Sequence, residues 1–241
     1  MNPNQHYKNQ ALDALRGRWT PAVLATVIYL VIGALISAPS LVQSFRMQSV
    51  LSSVSVADPA AMMAATHGSA WVSGLTWLLQ ILILLPLSVG FINAFRLLLE
   101  RGDDKVTENM FSVATKNYLH KVWGMFLMII FIMLWSLLLV IPGIIKAYSY
   151  AMTPYILEEH PELSANAAID RSRAMMKGHK FDLFWLQLSF IGWGILAVVT
   201  CGIGFFWLAP YMDTAQAAFY RDLKDEFGDG FDAEIRQAEV L

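Results

Sequence analysis

Two polar stripes interrupt apolar stretches of this 241-residue chain: Asp213, Gln216 and Tyr220 at i, i+3 and i+7, and Lys146, Tyr150 and Thr153 at i, i+4 and i+7. Helical spacing puts each trio on one face. An ionisable group within a membrane span is costly, so by default it points to ion or substrate binding or to proton relay. Asp213 falls ten residues into its stretch, about 15 Å by helical rise and near the midplane of a core about 30 Å thick. Lys146 sits about 5 Å from the outer turn, so its ammonium can snorkel outward instead of pairing with Asp213. The plainer alternative is that Asp213, neutral or hydrogen-bonded to Tyr or Thr hydroxyls, fixes helix packing.

A second concentration of chemistry-bearing residues lies in "AIDRSRAMMKGHKFDLFWLQ", where Arg171, Arg173, Lys177 and Lys180 abut an apolar run. Ser164 is placed to cap a helix and Gly178 to end it. Ala165, Ala168, Ile169, Ser172, Met175 and Met176 form its weakly apolar face. The expectation is an interfacial helix whose basic residues meet anionic lipid head groups at the cytoplasmic face. No metal or cofactor site is expected. The five histidines are scattered, no HExxH occurs, and Cys201 is the only cysteine, so neither metal-ligand spacing nor a hydrolase signature is present.

The elements that carry these residues read as membrane helices. The chain is 56% hydrophobic and 15% charged, against roughly 25% charged in soluble domains. A net charge of -2 gives no sign of a nucleic-acid partner. Six apolar stretches are expected to cross, at about 19-42, 71-98, 122-140, 144-157, 181-200 and 203-220. An outer loop at 44-70, cytoplasmic loops at 99-121 and 158-180 and a cytoplasmic tail at 221-241 complete a single membrane domain. "ALDALRGRW" near the N-terminus and the connector carrying Met110, Phe111, Tyr118 and Leu119 have amphipathic spacing and read as interfacial helices. The fold expected is therefore an all-α polytopic bundle of six transmembrane helices in three hairpins plus interfacial helices.

Charge decides the short fourth stretch. If 144-157 crosses, all 17 Lys and Arg except Arg46 and Lys146 fall on one side, and the positive-inside rule places both termini in the cytoplasm. If it does not cross, the basic segment around Arg171 moves outside and the asymmetry largely vanishes.

The motifs "ALDALRGRW", "IPGIIKAYSYAMTPYILEEHPELSANAAIDRSRAMMKGHKFDLFWLQLSFIGW" and "GIGFFWLAPYMDTAQAAFY" resemble a bacterial integral-membrane family known as domain of unknown function 975. The resemblance extends over nearly the whole chain outside 44-70. It implies a bacterial inner-membrane protein and carries no catalytic residue across. The function expected is a non-enzymatic component that binds or organises lipids or membrane proteins, as an accessory to export or the envelope. The alternatives are a small transporter built on the Asp213 and Lys146 stripes and a lipid head-group enzyme assembled from distant loops.

Overall fold

The computed structural model describes residues 3-53, 71-112 and 117-227, all helix and connecting turn. Residues 54-70 of the expected outer loop and 228-241 of the expected tail lie outside the described residues. The helices are α1 (Pro3–Leu15), α2 (Trp19–Ser53) and α3 (Trp71–Arg101), the last containing a π-helical turn at Gln80–Leu84. They continue as α4 (Val106–Ser112), α5 (Tyr118–Leu138), α6 (Val140–Ser149), α7 (Thr153–Glu159) and α8 (Ala165–Met175). The last three are α9 (Lys180–Leu188), α10 (Ile191–Val199) and α11 (Phe205–Phe227).

Local chemistry explains several boundaries. The Ser164 hydroxyl accepts from the Ala167 N–H at 3.2 Å, capping α8, and Gly178 stands beyond its end at φ +99°, a conformation costly for residues with a Cβ. Gly102, at φ +65°, closes α3 by donating its N–H to Leu98. The chain reverses between α5 and α6 through extended Leu139, and Gly143 lies so close to Ser136 that a Cβ there would meet the Ser136 Cα at 2.8 Å. Ala165, Ala168, Ile169, Ser172, Met175 and Met176 are all buried, so the apolar face of α8 turns into the core.

The expectation of six spans in three hairpins does not hold. Among the described residues, four helical stretches are long and apolar enough to cross a membrane: Trp19–Ser49, Trp71–Arg101, Tyr118–Leu138 and Lys180–Val199. The expected span 144-157 is two short helices of 10 and 7 residues, α6 and α7, broken at Tyr150 to Met152. Pro154 in the first turn of α7 lacks an N–H and its ring crowds the turn before it, which favours a break there. The Ser172 hydroxyl of α8 fills the break, accepting from the Met152 N–H at 3.1 Å and donating to the Ser149 carbonyl at 3.0 Å. The expected span 203-220 belongs to α11, whose apolar start gives way to Asp213, Thr214, Gln216 and Arg221. From Tyr211 to Leu223 much of α11 is buried within the protein.

α11 packs against α1, α2, α3 and α10. Tyr7 of α1 meets Phe219 edge-on, and His6 lies 3.8 Å from Asp222, so the start of α1 stands beside the end of α11. Charged side chains gather at this end of the bundle. The opposite half of α2 exposes Leu35, Leu41, Val42 and Phe45, and the α5–α6 turn exposes Leu137, Leu138, Leu139, Val140 and Ile141.

Candidate functional site

The candidate residues occupy three separate places. The first is an ion network at the charged end. Arg96 on α3 is buried; its Nε and Nη2 donate to Asn93 Oδ1 at 3.0 and 2.6 Å, and its Nη1 donates to Glu159 Oε1 at 3.1 Å and Glu100 Oε2 at 3.2 Å. Glu159, the last residue of α7, also accepts from Lys224 Nζ and, at 2.6 Å, from the Tyr220 hydroxyl. Burial pushes the Glu159 carboxyl up, but Lys224, Tyr220 and Arg96 outweigh it and hold the group below its ordinary value. Burial and then the Glu159 charge push the Tyr220 phenol well above its usual range. Its ring stacks on Tyr155 at 4.6 Å between centroids. Nearby, Lys121 of α5, also buried, pairs with Glu158. The paired charges make this cluster a tie between α3, α7 and α11.

Tyr220 is thus turned toward Glu159. Asp213 and Gln216 are each partly buried on α11.

The second place holds Lys146, whose ammonium sits 4.5 Å from the centre of the Trp135 ring and 6.0 Å from that of Tyr150. These groups line a cavity of about 270 Å³ with Asn166, Asp170 and Arg173. Arg173 pairs with Asp170 at 3.0 Å. Asp213 is not part of this lining, so the two polar stripes do not converge here. Thr153 is fully buried beyond the α6–α7 break. Of the four basic residues expected to face lipid, Arg173 and Lys177 are exposed and Lys180 is half-buried, whereas Arg171 is only 5% exposed and is turned into the protein. It follows the buried face of α8 beside Ser172.

The third place was not singled out from the sequence. A cleft of about 440 Å³ lies between α1, the start of α2, α10 and α11. Trp193 and Leu196 on α10, Trp207 and Tyr211 on α11, Leu12 and Trp19 wall it, with Ala197 of α10 against Gly204 of the turn, where a Cβ would meet the Ala197 Cα at 2.7 Å. No charged side chain lines the cleft. Trp193, Leu196 and Trp207 are each about half exposed, so the cleft opens on the protein's side. Its signal in the sequence is helical spacing: Trp193, Leu196, Ala197 and Thr200 fall on one face, as do Gly204, Trp207, Leu208 and Tyr211.

Among the described residues, no group of three or more His, Cys, Asp or Glu side chains is placed to hold a metal ion. Over residues 125–226 the chain matches the family model described as "Protein of unknown function (DUF975)". This match takes in the middle and C-terminal motifs but not "ALDALRGRW". No curated protein and no solved structure matches the chain. The chain is a polytopic membrane protein of unassigned activity, similar over that segment to the DUF975 family.

Proposed function

We propose that this protein is a non-enzymatic membrane component that binds lipid, seating an acyl chain in the cleft between α1, α2, α10 and α11. The observation that carries the reading is the cleft itself: concave, uncharged, walled by Trp19, Trp193, Trp207 and Tyr211, and open at the side. A chain lying there touches protein on several sides, whereas one against the projecting part of α2 touches a single helix surface. Aromatic walls give such a contact large area with little side-chain entropy to lose. The exposed Arg173 and Lys177, with Lys180, suit anionic head groups. His179 lies 3.6 Å from Glu226 at the end of α11, so the basic segment stays at the end shared with the start of α1 despite the break in 144-157, which supports a cytoplasmic location for both termini, in a bacterial inner membrane.

The test is photocrosslinking in nanodiscs with phosphatidylglycerol carrying a diazirine on its acyl chain. The adducts should concentrate on Trp193, Leu196 and Trp207, and Leu196→Trp, which narrows the cleft, should reduce them several-fold while leaving thermal unfolding unchanged. Adducts spread evenly along α2 and α10, and insensitive to Leu196→Trp, would overturn the proposal.

A further inference from the structure

The α10–α11 hairpin combines three features: a short reach, an apolar surface on every side, and a turn whose backbone donors are all satisfied within the protein. We infer that this hairpin is a re-entrant loop, entering the hydrocarbon from the charged face of the protein and turning back inside it, with bilayer acyl chains as its surroundings. The inference is independent of the cleft, since a fully crossing hairpin would carry the same cleft.

The base of the loop is marked by Lys8. Its ammonium donates to the Ser189 carbonyl at 2.8 Å and lies 4.4 Å from the centre of the Phe190 ring. Lys8 belongs to α1, which also carries Asn4, Gln5, His6, Asn9, Gln10 and Asp13 and is suited to the aqueous interface, not the hydrocarbon. The same helix lies against α11 through Tyr7 on Phe219 and Gln10 on Arg221. Ser189 is therefore at the interface, where it divides Lys180–Val199, a stretch long and apolar enough to cross, into the separate helices α9 and α10. From Ser189 to Thr200 the helical rise amounts to about 16 Å, against about 30 Å for the hydrocarbon core. α2, at 35 residues, is about 52 Å long and can cross completely.

Beyond Ser189 the surface is apolar all round. Ile191, Trp193, Ile195, Leu196, Val198, Val199, Ile203, Phe205 and Trp207 are exposed, and no charged residue occurs between Asp182 and Asp213. Packing between two helices leaves one exposed stripe on each. Here the turn itself, including Val199 and Ile203, is exposed and apolar.

The turn also meets a requirement that water would not impose. Every backbone N–H from Thr200 to Leu208 has a partner within the hairpin. Gly202, at φ +89°, reaches back to the Ala197 carbonyl at 2.9 Å, Cys201 to Val198 at 2.9 Å, and Gly204 to the Thr200 hydroxyl oxygen at 2.9 Å. That hydroxyl in turn donates to the Ala197 carbonyl at 2.8 Å. In lipid an unpaired N–H has no water to pair with and is strongly disfavoured; at a water-exposed turn solvent would serve.

Cys201, the only cysteine in the sequence and exposed at the turn, allows a direct test. The protein is labelled there with bimane in detergent and reconstituted into phosphatidylcholine and phosphatidylglycerol vesicles. Nitroxide lipids bearing the spin label near the middle of the acyl chain should quench bimane several-fold more than lipids bearing it on the head group. Unlabelled protein in sealed vesicles should resist a charged maleimide from both sides, while Lys177→Cys in a Cys201→Ser background labels from one side. Dominant head-group quenching, or labelling of Cys201 from the side opposite Lys177→Cys, would show a complete crossing and overturn the inference.

Discussion

The hydroxyl of Tyr220 donates to Glu159 at 2.6 Å although the two residues lie 61 positions apart in the chain, and the same carboxylate accepts from Arg96 and Lys224. One acidic side chain therefore joins three helices. Replacing Glu159 with Ala leaves Arg96 buried without its cross-helix partner and should destabilise the fold by about 3–5 kcal/mol, the range for removing one member of a buried ion pair. Tyr220→Phe keeps the ring stack on Tyr155 and loses one bond to a charged acceptor, about 1.5–3 kcal/mol. Thermal unfolding in nanodiscs checks both, and the prediction is wrong if Tyr220→Phe costs as much as Glu159→Ala.

The same network sets a pH dependence. The Glu159 carboxyl is held below its ordinary value in the folded protein. Its stabilisation is thus fully present above the unfolded pKa of about 4.3 and is lost as pH falls through the lower, folded value. Melting temperature should fall on acidification through this window, and Glu159→Gln should flatten that part of the curve. An unchanged acid limb in the variant would assign the loss to other carboxylates.

Ser172 is fully buried and serves both sides of the α6–α7 break. In Ser172→Ala the Met152 N–H and the Ser149 carbonyl lose this partner together, at about 1–3 kcal/mol for each buried group left unsatisfied. Hydrogen exchange should rise first at Met152, before global unfolding. Uniform acceleration along α6 and α7 would count against a local role.

Gly143 and Gly33 offer a paired comparison. A Cβ at Gly143 would lie 2.8 Å from the Ser136 Cα, whereas one at Gly33 meets nothing within 4 Å. Gly143→Ala should force α5 and α6 apart and cost about 1–3 kcal/mol. Gly33→Ala should be neutral or stabilising by up to about 1 kcal/mol. Unfolding midpoints in one lipid environment measure the difference, and equal effects would reject the close approach.

Much of the local structure was legible in the sequence because its causes are local. Ser164 and Gly178 mark the ends of α8 by side-chain and backbone chemistry acting over a few residues, and Ala168, Ile169 and Met175 mark its buried face by periodicity. The span count was not legible in the same way. Hydropathy and charge asymmetry treated 144-157 as one stretch, but the break beside Pro154 is stabilised by Ser172, from another helix. Arg171 illustrates the same limit: its type suggests a solvated or lipid-facing cation, yet the packing of α8 takes it inward. The cleft was missed because Trp193 and Trp207 become its walls only when Ala197 and Gly204 bring α10 and α11 together. The network on Glu159 joins α3, α7 and α11 through contacts that no short window of sequence contains.

The docking of α1 on α11 also orders assembly in time. α1 is made before every other described helix, while Phe219, Arg221 and Asp222, which receive Tyr7, Gln10 and His6, are among the last of the described residues to be made. At a synthesis rate of about 5–20 residues per second, α1 waits for tens of seconds or less for its surface on α11, although α3, which it also contacts, is made sooner. Closure between the two ends of the described chain then follows the synthesis of α11, and a product lacking that helix leaves α1 without the surface that receives Tyr7, Gln10 and His6.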